Sequence, residues 1–185
     1  MRFNQHYAVE GQHAVFGASQ YHWTNYDVEK MEQVYQNKAA SWMGDRYHAW
    51  AAEAIRLGLR QQRNQKTINA YINDAIGFRM SPEVVLYYSE NFFGTADAAC
   101  FEKNVFRVHD LKTGSHKASF RQLEVYCAFF CLEYKLNPYD IEMIMRIYQY
   151  DEVAEERADP KVIREIMDKT KLFNDRLNEL KEVLL

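Results

Sequence analysis

Phe92-Phe93-Gly94-Thr95-Ala96-Asp97-Ala98-Ala99-Cys100-Phe101-Glu102-Lys103-Asn104-Val105-Phe106-Arg107-Val108-His109-Asp110-Leu111-Lys112-Thr113-Gly114 is the stretch on which the fold turns. Its two halves are rich in β-branched, aromatic and small apolar residues, with a polar break at Glu102-Lys103, so residues 93–101 and 104–112 are expected to form two strands joined by a tight turn. With a two-residue turn, Phe101 pairs with Asn104 and Asp97 faces Val108. Side chains alternate with period two, so Asp110 and Lys112 then point to the same side as Asp97. The two carboxylates become diagonal neighbours, with Cα atoms roughly 7–8 Å apart. A three-residue turn without a bulge would instead send Asp110 to the opposite face.

Two carboxylates this close repel, and a divalent cation relieves the conflict. Lys112, two residues beyond Asp110 on the same face, can orient or stabilise an attacking water whose pKa the metal lowers. The pattern therefore points to metal-assisted hydrolysis, with Asp97, Asp110 and Lys112 as catalytic residues. His109 falls on the opposite strand face and is excluded as a ligand. His116 is a candidate phosphate contact.

Outward from this hairpin, Ser81-Pro82 is a turn signal followed by Val84, Val85, Leu86, Tyr87 and Tyr88, the composition of another strand. Upstream, Met31, Val34, Tyr35, Trp42, Ala49 and Ala52 recur at helical spacing from an N-cap at Asp27 to about Gln62, as one long helix or two. A short helix is expected over 67–78, ending near Gly77. Downstream, 116–135 reads as a helix broken at Asn137-Pro138, Ile141 to Tyr150 as a last strand, and 160–185 as a helix with Pro160 at its first position. Its apolar stripe is Ile163, Ile166, Leu172 and Leu177, which could also serve a homo-oligomer interface. The fold class is α/β, a central mixed sheet flanked by helices.

With 185 residues, 48% hydrophobic and 15% aromatic, the chain suits a single domain. Its parts would be an N-terminal helical region (1–80), a sheet-and-helix core (81–151) and a C-terminal helix (160–185). Three cysteines do not make a disulfide framework and suit a reducing cytoplasm. Cys127 and Cys131, at i and i+4, read as buried apolar positions. No signal-peptide run and no membrane span is expected. A net charge of −3 gives no global attraction to nucleic acid, so only a local basic groove together with metal ions would bind it.

Four segments, in order, resemble the PD-(D/E)xK nuclease superfamily in its RecB-like and Cas4-like (phage-type exonuclease) branch. They are Gly44-Asp45-Arg46-Tyr47-His48, Gly94-Thr95-Ala96-Asp97, Asp110-Leu111-Lys112-Thr113-Gly114 and Gln122-Leu123-Glu124-Val125-Tyr126. The family reads as a helix with a metal-binding histidine, a G-x-x-D strand, a D-x-K-T-G strand end and a Q-x-x-x-Y helix. The resemblance covers about residues 41–130 and implies a restriction-endonuclease-like core. It also implies metal ligation by His48, Asp97, Asp110 and the Leu111 carbonyl, with Lys112 as catalytic lysine. Gln122 and Tyr126 would bind substrate or brace the site. Small neighbours of His48 on its helical face (Ser41, Gly44, Ala51, Ala52) suit close helix-to-sheet packing. The expected cofactor is Mg²⁺ or Mn²⁺ and the partner DNA. Cys100, Cys127 and Cys131 do not supply the four flanking cysteines of the family's iron–sulfur subset, so no cluster is expected. The resemblance favours a stand-alone exonuclease of phage or bacterial recombination or repair. A structure-selective endonuclease, or an idle DNA-binding or inhibitory protein on the same scaffold, is the alternative.

Overall fold

A computed structural model describes residues 4–114 and 117–184; the candidate His116 lies outside the described residues. The chain divides into two compact units, residues 1–45 and 46–185. The first holds two 3-10 segments, Tyr7–Val9 and Ala18–Asn25, and the start of helix α1 (Val28–Arg56). Asp27 is the expected N-cap: its Oδ1 accepts the Lys30 amide at 2.7 Å, which satisfies one of the free donors of the first turn. α1 is one helix and ends before residue 62. Gly58, at φ +67, closes it, with the Leu59 amide donating to the Ala54 carbonyl and the Gly58 amide to Ile55, a Schellman cap.

The second unit is built on a five-stranded sheet in the order β1 (Ser81–Ser89), β2 (Phe92–Glu102), β3 (Val105–Leu111), β4 (Glu142–Gln149), β5 (Glu152–Arg157). Only β3 and β4 are parallel, joined by the crossover helix α3 (Arg121–Glu133); the other neighbours are antiparallel. The central mixed sheet with flanking helices is thus present. On one face, α3 and the first half of α4 (Pro160–Leu184) bury Leu123, Cys127, Phe130, Ile163 and Met167 against Phe106, Val108, Met143 and Met145. On the other, residues 51–55 of α1 and helix α2 (Thr67–Gly77) bury Ala51, Tyr71, Ile72 and Ala75 against Ala98, Leu111 and Tyr148. Burial of this kind stabilises at about 25 cal/mol per Å² of apolar surface.

Several sequence expectations shift. α2 ends at Gly77, as expected, and the left-handed residue that closes it is Arg79 (φ +55). The helix expected from residue 116 begins at Arg121. Instead, Gln149 holds the preceding loop, accepting the Ala118 amide at 3.0 Å and donating to the Gly114 carbonyl at 2.9 Å. The last strand is not the final one, since β5 follows a turn at Tyr150-Asp151, both left-handed. Every residue of β5 is exposed, so no apolar alternation announces it; backbone pairing holds it to β4, helped by the cross-strand ion pairs of Arg146 with Glu155 and Arg157 with Glu142. In α4, Ile163 and Ile166 are buried as expected, whereas Leu172 and Leu177 remain exposed.

Candidate active site

The β2–β3 turn is two residues long, as expected, but it is Lys103-Asn104 rather than Glu102-Lys103. Both residues have positive φ (52° and 61°), as a tight hairpin turn of this length requires. Glu102 therefore pairs with Val105, and Ala99, not Asp97, faces Val108. The slip is of two positions and keeps the parity. Carried one step past its last pair, Ala98 with His109, this register sets Asp97 across from Asp110.

Regular alternation fails at Asp97. Ala96 belongs to the core on the α3 side, while Ala98 belongs to the core on the α2 side. On the neighbouring strand the ladder pairs Pro82 with Ala98 and Val84 with Ala96, skipping Glu83 and Asp97. Glu83 is left-handed, at φ +53. Asp97 thus sits at a crossover between the two faces, and its side chain does what a strand carbonyl would otherwise do: Oδ2 accepts the Leu111 amide at 2.8 Å. Its Oδ1 lies 3.3 Å from Nδ1 of His48 on α1.

Asp110 is 3% exposed. Lys112 Nζ donates to its Oδ1 at 3.1 Å and stands 2.9 Å from its Oδ2. The second approach lacks hydrogen-bond geometry, so Oδ2 is a buried carboxylate oxygen with no hydrogen bond. Nζ also donates to Gln122 Oε1 at 2.8 Å. Gln122 Nε2 donates to the Tyr126 hydroxyl at 3.0 Å, which donates to the Thr95 carbonyl at 2.7 Å. Gln122 and Tyr126, one helical turn apart on α3, thus brace the lysine from the strand end. Gly94 makes room for this brace, because a Cβ there would meet Tyr126 Cε1 at 2.9 Å. That contact gives the glycine of the G-x-x-D segment its physical reason.

Electrostatics follow the same geometry. Hydrogen bonding to Asp97 holds the His48 imidazole above its ordinary pKa against the opposing cost of burial, with Asp97, Asp110 and Glu83 adding to the rise. Burial first, and then the Asp97 charge, push Asp110 up, against the pull of Lys112 and His48. Burial also raises the Tyr126 hydroxyl. His109 lies on the other side of the sheet, as expected. It is fully buried against Phe78 and Tyr148, and burial together with Arg146 and Arg107 pushes it down to about 3.

The six side chains His48, Asp97, Asp110, Lys112, Gln122 and Tyr126 are therefore brought together at one end of the β2–β3 pair. Four of them form two pairs, His48 with Asp97 and Lys112 with Asp110, and Gln122 and Tyr126 extend the second. Among the described residues no three His, Cys, Asp or Glu side chains stand close enough to form a ready metal cage. The donor chemistry nonetheless fits a hard divalent cation: two carboxylates, an imidazole, and one buried carboxylate oxygen lacking a hydrogen bond. Sequence reasoning missed Glu83. Its only local signal is the Ser81-Pro82 turn before it, and its place across from Asp97 emerges from strand pairing.

Comparison with family models, curated proteins and solved structures finds no match to this chain. Among the described residues no helix is long and apolar enough to cross a membrane.

Proposed function

We propose that this chain is a metal-dependent phosphodiesterase of the PD-(D/E)xK type. More particularly, it is a DNA exonuclease acting in phage or bacterial recombination or repair. The observation that carries this reading is the coupling of the buried, incompletely hydrogen-bonded Asp110 to Lys112, and of Lys112 through Gln122 to Tyr126. A lysine serving only as counter-ion needs no such brace. One held in a fixed position beside a carboxylate can guide a water onto phosphorus.

Asp97, Asp110, His48 and the Leu111 carbonyl would hold Mg²⁺ or Mn²⁺, with Glu83 as a further carboxylate within their field. When bound, such an ion lowers the pKa of water and withdraws charge from the phosphodiester. Lys112 orients the attacking water and offsets charge developing on the phosphoryl oxygens. The water oxygen bonds to phosphorus as the bond to the departing sugar oxygen breaks. Gln122 and Tyr126 keep the ammonium on station, and His48 must surrender its proton before it can ligate.

The test is digestion of linear and covalently closed circular DNA with Mg²⁺ or Mn²⁺, beside Asp110→Ala and Lys112→Ala. Loss of linear DNA alone, reduced at least about a thousandfold by either substitution, is expected. Cutting of circles would move the reading to an endonuclease. Folded protein that cleaves neither DNA with either metal would overturn the enzymatic reading.

A further inference from the structure

The hairpin end of the sheet, away from the carboxylates, carries a second polar cleft of about 440 Å³ lined by Phe78, Arg79, Glu102, Lys103 and Arg107. Two guanidinium groups stack on the Phe78 ring there, Arg107 at 4.8 Å and Arg146 at 5.0 Å. Their fates differ. Arg146 is neutralised, donating to Asp74 at 3.0 Å and to Glu155. Arg107 has no acidic partner among the described residues, and its Nη1 is buried without any hydrogen bond. Stacking on an aromatic ring holds a guanidinium in place but leaves its N–H donors unsatisfied.

A buried cationic donor without an acceptor is costly, so the arrangement calls for an anion. Arg79 and Lys103 bring two more positive charges to the same cleft, and neither has an ion-pair partner among the described residues; Glu102 is the only carboxylate lining it. Their positions are fixed by the backbone. Arg79 is the left-handed closing residue of α2, and Lys103 is the first of the two left-handed turn residues between β2 and β3. A planar donor fork flanked by two further cations matches the several oxygens of a tetrahedral phosphoryl oxyanion better than a single planar carboxylate.

We propose that this cleft binds a phosphate group. Arg107 lies three residues from Asp110 along β3, about 10 Å, so the group is distinct from one undergoing reaction at the carboxylates. It comes from one of two sources, a DNA backbone beyond the cleavage point or a free phosphate. The first rests on the nuclease reading and the second does not.

The test begins with amide NMR spectra of the full chain titrated with inorganic phosphate. Saturable shifts confined to residues around 77–79 and 102–107 are expected. Arg107→Gln should abolish them. Lys103→Asn and Arg79→Asn, at exposed positions where asparagine tolerates the left-handed backbone, should each weaken binding at least about fivefold. These two variants carry the test should Arg107→Gln fail to fold. No saturable shift, or variants that bind phosphate as the parent does, would overturn the proposal.

The source is then read from binding of a fluorescent oligonucleotide to Asp110→Ala protein without divalent metal. A fall of about one in the salt-dependence slope for each cation removed supports the DNA backbone. An unchanged slope beside lost phosphate binding supports a free phosphate. Cleavage by the parent protein is measured separately, so failure of the nuclease reading would show there and leave the phosphate titration standing.

Discussion

The two ends of the β2–β3 pair are built on opposite principles. At the hairpin end, backbone closes on backbone: Glu102 pairs with Val105, and Lys103 and Asn104 need only tolerate positive φ. At the other end the ladder stops and side chains replace it. The Leu111 amide is accepted by the carboxylate of Asp97, and Lys112, past the strand end, is held by Asp110 and Gln122. Where the backbone satisfies itself, side chains that suit its φ are interchangeable as far as the fold is concerned, which leaves Lys103 available to a ligand. Where side chains complete it, each is fixed in type and place, and the cost of that dependence is two closely placed carboxylates.

The widest contrast concerns protons. The His48 pKa is raised, chiefly by its hydrogen bond to Asp97, so the imidazole holds its proton to higher pH than usual and competes with any metal. Mn²⁺ affinity should fall as pH drops through that raised value, up to about tenfold per unit. Calorimetric titrations at pH 8, 7 and 6 would show it, and His48→Gln should flatten the dependence. Affinity independent of pH in the parent protein would remove His48 from the ligand set.

Gln122 comes next. It is exposed, so Gln122→Ala should barely move the melting temperature, yet it releases Lys112 from its brace and should lower kcat about 10–100-fold. Gln122→Glu, which retains an acceptor for Nζ, should recover part of the loss. An unchanged kcat in Gln122→Ala would mean that Asp110 alone positions the lysine.

Gly94→Ala tests the brace from below. The new methyl would stand 2.9 Å from the Tyr126 ring, and overpacking of this kind costs about 1–3 kcal/mol, read in denaturant unfolding together with a fall in activity. Stability unchanged to within about 0.5 kcal/mol would show that Tyr126 yields freely. The smallest effect belongs to the hairpin end. Asn104→Gly should change stability by less than about 0.5 kcal/mol and leave cleavage untouched. A measurable loss of activity there would end the distinction between the two ends.

Much of this fold was legible beforehand because hydrophobic periodicity is a local property. The α1 start at Asp27, the α4 start at Pro160, strands β1 to β4 and the crossover helix were all foreshadowed by spacing and punctuation. β5 was not, since Glu152–Arg157 buries nothing and its sequence reads as solvated surface. Gln149 gave no signal as a loop clamp, because its two partners lie more than thirty residues away. At the site, Asp110 and Lys112 share a face because they stand two residues apart on one strand, whatever the register, and the two-position slip between β2 and β3 leaves each residue on its own face.

The sequence by itself determined the α/β class, the two strands bearing Asp97 and Asp110, and the placing of Lys112 beside Asp110, all consequences of fixed local periods. Only the tertiary structure decided that alternation breaks at Asp97 and that Glu83 is skipped opposite it. It also set the geometry of what the resemblance implies, His48 beside Asp97 and Lys112 braced by Gln122 and Tyr126, and it left Arg107 with no acidic partner among the described residues. Each of these depends on which distant segments are brought into register. Pairing across strands and packing of helices onto a sheet are settled by the whole core at once, and no window of neighbouring residues contains that information.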